Sequence, residues 1–257
     1  MRRLVLAAAI ALCLPVAVAA GQRQIVQKHD VRVSFEGELL PRALPRERPA
    51  PVTVHLAGSV DPVNGARAPR LRELSVAVNR AGRLSTVGLP SCSAAELQQT
   101  SSEAALAKCR GALVGHGHYA ASVDSANAPL IPAEGKVLAF NSTRGDHPSM
   151  VLHLYGSRPV RAAFVLPFTI SRQARGAFGT VFTAKIPRLA ADLGYVDEIE
   201  LTLGRRYRYA GRPRSFLSAS CSAPAGLPGG VYKLARATFT FPEETLTSNL
   251  SGSCKVR

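Results

Sequence analysis

The sequence predicts a mostly β protein, an antiparallel β-sandwich with one short helical insert clasped by a disulfide bond. Three observations indicate this class. Many short segments alternate apolar and polar residues, turn residues separate them at short intervals, and the cysteines are even in number once a secretory signal is removed. About 237 of the 257 residues remain after such a signal is removed, which is enough for one large β domain or two small ones.

The first 20 residues have the three parts of a secretory signal. A positively charged start precedes an apolar run from Leu4 to Val18, and small residues follow at a cleavage site after Ala19 or Ala20. The apolar run is shorter than the roughly 20 residues that a membrane-spanning helix requires. We therefore expect a mature chain of residues 21–257 that is secreted and has no transmembrane segment.

The mature chain is predicted to be one continuous domain built of strands. Early examples are VRVSFEG (31–37), VTVHLAGSV (52–60) and LRELSVAVN (71–79), which have the two-residue period of a half-buried strand. Residues 41–51 are rich in proline and arginine, and we expect a crossing loop that contains too much proline to pair. Similar strand patterns continue to the end of the chain, without an internal repeat.

One helical insert is expected at residues 93–109. Ser93 and Glu96 have the spacing of a capping box, and so do Thr100 and Glu103. Gly111 stands where the helix should end. With Cys92 at the end of a strand, a bond to Cys109 would clasp this helix onto the sheet.

Four cysteines belong to the mature chain: Cys92, Cys109, Cys221 and Cys254. An even number in an oxidising compartment predicts two disulfides, for which three connectivities exist. We favour Cys92–Cys109 and Cys221–Cys254, because each pair brackets a compact local unit. Each closed loop would stabilise the fold by roughly 3 kcal/mol on the chain-entropy model. A metal site built from these cysteines is disfavoured, because no C-x-x-C pair is present.

Several stretches have a distinctive composition: GLPSC (88–92), ALAKCRGALVGHG (105–117), VLAFN (137–141), LTLGRRYRYAGRPRSFLSASCSAP (201–224) and SCKVR (253–257). Together they resemble an uncharacterised family of secreted proteins from high-GC Gram-positive bacteria. The resemblance covers most of the mature chain, from about Val31 to its end. It implies a secreted, autonomous domain, and it implies no particular activity.

The stretch GHGHY (115–119) supplies the candidate metal ligands. On a strand, His116 and His118 project from one face while the two glycines lie on the other. They would bind a divalent metal such as zinc if a third ligand, His147 or His153, lay nearby. The alternative interpretation, which we favour, is a surface strand without a cofactor, whose glycines permit close packing or a bulge.

The stretch GRRYRYAGRPR (204–214) supplies the candidate anion-binding residues, which are Arg205, Arg206, Arg208, Arg212 and Arg214. Guanidinium groups on one hairpin suit bidentate binding of phosphate or carboxylate groups. The alternative is that these arginines form a solvent-exposed face of a strand and discourage pairing at its edge. The charge pattern favours this alternative. Continued alternation from the preceding strand places Tyr207 and Tyr209 inward. Arg205 shares their side, so it needs a bulge or an acidic partner.

Charge and motifs narrow the class of function. The formal net charge is +15, and the 26 arginines and 6 lysines are scattered along the chain, which we interpret as a solvated surface. The sequence has no G-x-S-x-G, H-E-x-x-H or G-x-x-x-x-G-K-[ST] motif. It also has no tryptophan, and a secreted protein rarely meets nucleic acid, so nucleic acid is not expected as a partner.

These observations favour an exported, non-enzymatic protein at the cell surface. It would associate electrostatically with an anionic cell-wall polymer or an acidic envelope surface. The alternative is a secreted hydrolase with a metal or Ser/His site that involves the GHGH strand.

Overall fold

The computed structural model describes residues 22–64, 69–125, 128–158, 161–187 and 194–257. The expected secretory signal, residues 1–20, lies outside these described residues. Within them the chain is mostly β-strand, as predicted, with two short helices.

The described residues form eighteen strands. They are β1 (Gln22–Lys28), β2 (Val31–Leu40), β3 (Ala43–Leu44), β4 (Ala50–Pro51), β5 (Thr53–Pro62), β6 (Glu73–Asn79), β7 (Gly82–Leu84), β8 (Leu113–Ser125), β9 (Ala128–Arg144), β10 (His147–Arg158), β11 (Ala162–Arg172), β12 (Phe178–Lys185), β13 (Gly194–Leu203), β14 (Arg206–Tyr209), β15 (Arg212–Ser215), β16 (Leu217–Ala219), β17 (Gly229–Thr240) and β18 (Thr245–Val256).

One large sheet contains most of these strands. In the described chain, thirteen strands pair in the order β1-β2-β5-β13-β8-β9-β10-β11-β12-β6-β17-β18-β3. A hairpin, β14–β15, and a small sheet, β4-β16-β7, stand apart from it. The two-sheet sandwich that the sequence predicts is therefore not confirmed.

The large sheet is curled, so that strands far apart in its order face each other. Inward side chains of β2 and β5, such as Phe35 and Val60, share a buried cluster with Phe239 of β17 and Leu250 of β18. A second buried cluster contains inward side chains of the strands β8, β9, β10, β11, β12 and β13, together with Phe216. Alternation along each strand thus sends apolar side chains to the inside of the curl, as the two-residue period predicts.

The strands run up and down, so their ends collect at two ends of the curl. One end holds the segments 40–52, 79–91, 144–147, 172–178, 204–231 and 254–257, which we call the arginine end. The small sheet β4-β16-β7 lies there, and its Leu84 and Leu217 pack against the buried cluster that contains Phe216.

The proline-rich segment 41–51 does pair, contrary to the prediction. Its strand β3 runs parallel to the end of β18, with Ala43 beside Lys255, and β4 pairs with β16. Each pairing covers only two residues, because the prolines lack the N–H that a longer ladder requires. Arg46 fastens the segment further, since its guanidinium donates to the carbonyl oxygens of Ala223 and Leu227.

Both predicted disulfides are present. Cys92 is bonded to Cys109, and Cys221 is bonded to Cys254, with Cα atoms 5.8 Å apart in each pair. The first bond belongs to the helical insert, and the second joins the end of β18 to the loop after β16.

The insert contains two helices, α1 (Ala94–Leu97) and α2 (Ser102–Cys109), and a turn of 3-10 helix, Arg110–Ala112. Ser93 and Glu96 form the predicted capping box. The second helix is capped by Ser101 rather than by Thr100. Cys92 lies in a loop, not at the end of a strand, and Gly111 continues the chain into the 3-10 turn.

The insert covers the outer face of the central strands. Leu97 and Ala105 share a buried cluster with Leu138, Phe140 and Val151 of β9 and β10, and the Cys92–Cys109 bond is part of it. The bond therefore clasps the helices onto the sheet, as predicted.

His153 of β10 is fully buried beneath the insert. Its Nε2–H donates to the carbonyl oxygen of Thr100 over 2.9 Å, and the Thr100 hydroxyl donates to the carbonyl oxygen of Leu97 over 2.8 Å. Among the described residues no group bonds to its Nδ1. This arrangement fits the neutral imidazole with its proton on Nε2.

Acid should weaken the attachment of the insert through His153. Burial lowers the pKa of this imidazole below its ordinary value of 6.5, because protonation would place a charge and an unpaired Nδ1–H in an apolar site. The unfolded chain takes up the proton near pH 6.5, whereas the folded chain resists it. The free energy of unfolding should therefore be highest above that pH and decrease as the pH falls below it.

Denaturant unfolding near neutral pH and in mild acid measures this effect. His153→Gln keeps a donor for Thr100 and does not titrate, so acidification should destabilise it less than the wild type. His147→Gln, at an exposed position, is the matched control and should keep the wild-type pH dependence. Equal pH dependence in wild type and His153→Gln would contradict the role of His153.

Candidate functional site

The structure places His116 and His118 on β8, both exposed on the outer face of the sheet. Neither suggested partner joins them. His153 is in register with His116 through Leu138 of β9, so two interstrand spacings, about 10 Å, separate the two histidines. His147 lies at the arginine end, beside Arg144.

The described residues assemble no metal-ligand set around this histidine pair. His118 lies between Glu200 of β13 and Lys136 of β9. The one group of three potential ligands in the described chain is Cys92, Glu96 and Cys109, and its sulfurs are joined in a disulfide. A sulfur in a disulfide is not the thiolate that binds a metal. A metal site at His116 and His118 stays a prediction.

The glycines of the same strand have a packing role. Gly115 and Gly117 lie on the inward face, where β8 and β13 approach closely. A Cβ atom at Gly117 would overlap the carbonyl oxygen of Glu200, and one at Gly115 would crowd the carbonyl oxygen of Thr202. This observation supports the close-packing interpretation of the GHGHY stretch, since only glycine fits at these positions.

The hairpin β14–β15 divides its arginines between two faces. Residues paired directly across a hairpin share a face, and Arg212 and Arg214 pair with the two tyrosines. Arg206 and Arg208 project from the opposite face. All four are exposed, yet they do not form one cluster on the hairpin.

Arg205 lies outside the hairpin and is held by the backbone. Its Nη1 donates to the carbonyl oxygens of Gly111 and Leu113 over 2.6 and 2.8 Å, and to that of Arg110 over 3.2 Å. The partner that its position requires is therefore the end of the 3-10 turn, not an acid. These bonds give Arg205 a structural role.

The two tyrosines pack on a loop and not in the core. The Tyr207 hydroxyl donates to the carbonyl oxygen of Val87 over 2.7 Å, and the Tyr209 ring lies against Gly88. Tyr209 is 46% exposed, so the prediction of two inward tyrosines is wrong. The alternation of β13 does not continue, because the chain turns at Gly204 and the hairpin leaves the large sheet.

The fold gathers basic residues that are dispersed in the sequence. In the described chain the arginine end carries fifteen basic residues but only two acidic side chains, Glu47 and Asp146, while Glu38 just outside it ion-pairs with Arg42 over 2.8 Å. The fifteen are Arg42, Arg46, Arg48, Arg80, Arg83, Arg144, Arg172, Arg175, Arg205, Arg206, Arg208, Arg212, Arg214, Lys255 and Arg257. The opposite end carries both signs of charge. The charge is dispersed along the sequence and mostly exposed, as predicted, but the fold concentrates much of it at one end, which the sequence does not reveal.

The interior of the curled sheet contains a cavity of about 1130 Å³. It extends from Pro69, Leu71 and Ile186 at one end to the small sheet at the arginine end. Its walls are mainly inward apolar side chains. Those of β5, β6, β10, β11, β12 and β13 include Leu56, Val60, Leu74, Val76, Val78, Leu152, Leu154, Phe164, Leu166, Phe182 and Leu201. The charged residues that line it are Glu38, Arg42, Arg46, Glu47, Arg80 and Arg83 in or beside the arginine end, together with Arg70, Asp197 and Glu198.

The inward side chains around this cavity are not packed as a protein core is packed. Every residue of β6 is only half-buried, although Leu74, Val76 and Val78 point inward. On β5, a Cβ at Gly58 would have one neighbour, the carbonyl oxygen of Ser34 at 3.7 Å. Protein interiors normally leave few voids larger than a water molecule. The cavity is therefore the candidate binding site.

Comparison with known proteins assigns no role to these residues. No family model, curated protein or solved structure matches the chain. The resemblance to secreted Gram-positive proteins stays a prediction from the sequence. No helix in the described part of the chain is long and apolar enough to cross a membrane.

Sequence reasoning identified the strands that surround the cavity but not the cavity itself. Alternation indicates that Val76 and Leu152 point inward. It does not indicate whether side chains of other strands pack against them. One signal was available. The chain has many alternating strands but only 15 Phe and Tyr residues and no Trp, so it has few large side chains to fill the interior of a large sheet.

Proposed function

We propose that the protein is an exported, non-enzymatic carrier that binds a lipid-like molecule inside its curled sheet. The observation that carries this proposal is the 1130 Å³ cavity with apolar walls. Small-molecule sites usually measure about 300–1,000 Å³, so this cavity has room for a ligand at the upper end of that range. Burial of apolar ligand surface, at about 25 cal/mol per Å², would drive binding.

The distribution of polar groups indicates the form of the ligand. The seven residues of β6 extend about 23 Å along the wall, and their inward side chains are apolar. The charged residues among its lining carry both signs, with Asp197 and Glu198 on β13 and Arg42, Arg83 and Glu47 at the arginine end. An elongated molecule with an apolar body and a polar group at its end, such as an acyl lipid, matches this pattern.

The placement of reactive residues supports binding rather than catalysis. His116 and His118 point away from the cavity, and no histidine is among its described lining residues. Export is supported by the two disulfides, which are compatible with an oxidising compartment.

Filling the cavity from Gly58 should weaken ligand binding. A Cβ at Gly58 meets one atom at an ordinary 3.7 Å, and Gly58 lines the cavity, so Gly58→Phe should place its ring in the cavity while the fold persists and the ligand loses room. We expect at least about tenfold weaker binding of a fluorescent fatty-acid or phospholipid probe, equivalent to about 1.4 kcal/mol. Native mass spectrometry of the purified chain would show whether a lipid accompanies it.

His55→Phe is the matched control, because it places the same side chain on the outer face of the same strand. This variant should bind the probe as the wild type does. A wild-type protein that binds no apolar probe, or a Gly58→Phe variant that binds as tightly as the control, would contradict the proposed function.

A further inference from the structure

Exposed apolar side chains accompany the basic residues of the arginine end. In the described chain eight large apolar side chains are exposed, and five of them are at this end: Leu40, Val87, Tyr209, Leu227 and Val231. Their exposures range from 39% for Leu40 to 74% for Val231. Exposed apolar groups are common singly, but a set collected at one end of a molecule indicates an interaction surface.

The apolar and basic groups are interleaved. The carbonyl oxygen of Val87 accepts the Tyr207 hydroxyl of the arginine-bearing hairpin, and the carbonyl oxygen of Leu227 accepts a guanidinium N–H of Arg46. Several guanidinium groups nearby are available to a partner. Arg83, Arg206 and Arg212 are exposed, and their guanidinium groups make no hydrogen bond or ion pair with another described residue.

We propose that the arginine end docks on an anionic lipid bilayer. Basic side chains close to an acidic membrane surface gain electrostatic energy, and apolar side chains beside them enter the boundary between headgroups and acyl chains. A soluble anionic polymer would use the guanidinium groups alone and would leave Val231 and Leu227 in water. The apolar set therefore favours a bilayer over a polymer.

This docking surface goes beyond the carrier function and does not depend on it. The two are compatible, since Arg42, Arg80 and Ser222 of the arginine end also line the cavity. Docking would bring that end of the cavity to the membrane surface.

Cosedimentation of the full chain with vesicles tests the proposal. Vesicles that contain phosphatidylglycerol should bind the protein, and vesicles of phosphatidylcholine alone should not. Binding should weaken as salt is raised, because the Debye length falls from about 10 Å at 0.1 M to about 3 Å at 1 M. Equal binding to both vesicles, or to neither, would overturn the proposal.

A pair of charge variants locates the surface. The first replaces Arg83, Arg206, Arg212 and Arg214 by Gln, and the second replaces Arg72, Arg158, Arg161 and Lys185 of the opposite end. Both remove four positive charges from exposed positions, so their net charge is the same. The first should lose affinity on the order of a hundredfold, and the second should change it only a few-fold. Equal losses would show that net charge alone is responsible and would overturn the proposal.

A third variant distinguishes docking on a bilayer from binding of a soluble polymer. Leu227→Ser with Val231→Ser removes apolar surface and leaves the charge unchanged. It should weaken vesicle binding severalfold and leave binding of soluble polyphosphate unchanged. Retention of full vesicle affinity by this variant, or wild-type binding to polyphosphate and not to vesicles, would assign the arginine end to a polymer.

Discussion

Gly117→Ala should destabilise the protein by about 3 kcal/mol or more, although it adds only one methyl group. The new Cβ would overlap the carbonyl oxygen of Glu200 on β13, which is backbone and takes part in the pairing of β8 with β13. Removing this overlap would require β8 and β13 to move apart. They are central in the sheet, so the loss should spread to the fold as a whole.

Denaturant unfolding of Gly117→Ala and Gly58→Ala would measure this effect. Gly58 is inward-facing on a nearby strand, and its new methyl would meet one oxygen at an ordinary 3.7 Å. This control should stay within about 1 kcal/mol of the wild type. His116→Ala and His118→Ala, at exposed positions, should stay within about 0.5 kcal/mol. Similar stability of the two glycine variants would show that the close approach at Gly117 is absent in solution.

Replacing Cys221 and Cys254 together by Ser should lower the free energy of unfolding by about 3–4 kcal/mol. The bond closes a loop with a sequence separation of 33 and restricts the unfolded chain. Both cysteines are also buried, in a cluster with Leu44, Val52 and Ala219, where serine hydroxyls would be poorly satisfied. The end of β18 would lose its attachment to the loop after β16.

The comparison is with the pair Cys92→Ser and Cys109→Ser, whose sequence separation is 17. Chain entropy alone makes the loss there slightly smaller, about 3 kcal/mol. Denaturant unfolding of the two double variants and of the reduced wild type, each compared with the oxidised wild type, gives the three losses of unfolding free energy. A change of less than about 1 kcal/mol for the Cys221 and Cys254 variant would refute this role.

Local patterns predicted the local structure correctly. The alternation of β5 and β6, the capping box at Ser93 and Glu96, and the two disulfides are all present. Each depends on residues close in sequence or on a small number of possible pairings. The capping of the second helix was misplaced by one residue, because Thr100 and Ser101 are both good caps and the choice depends on packing.

Long-range pairing was beyond the reach of these patterns. Leu201 lies between Leu56 and Gly117 in the sheet, although these residues are far apart in the chain. Alternation fixes which side chains point inward but not which strands are neighbours or how strongly the sheet curls. The curled sheet, its cavity and the collection of arginines at one end all follow from that order.

The helical insert has a consequence for the strands beneath it. Residues 137–142 of β9 and 149–154 of β10 are buried without interruption, because the insert seals their outer face while their inner face lines the curl. Strands enclosed on both sides read as nearly continuous apolar runs, here VLAF and MVLHL, and such runs aggregate readily when uncovered. The Cys92–Cys109 bond holds the insert over these runs, so we expect a chain that lacks the bond to uncover them and to associate with other copies of itself more readily.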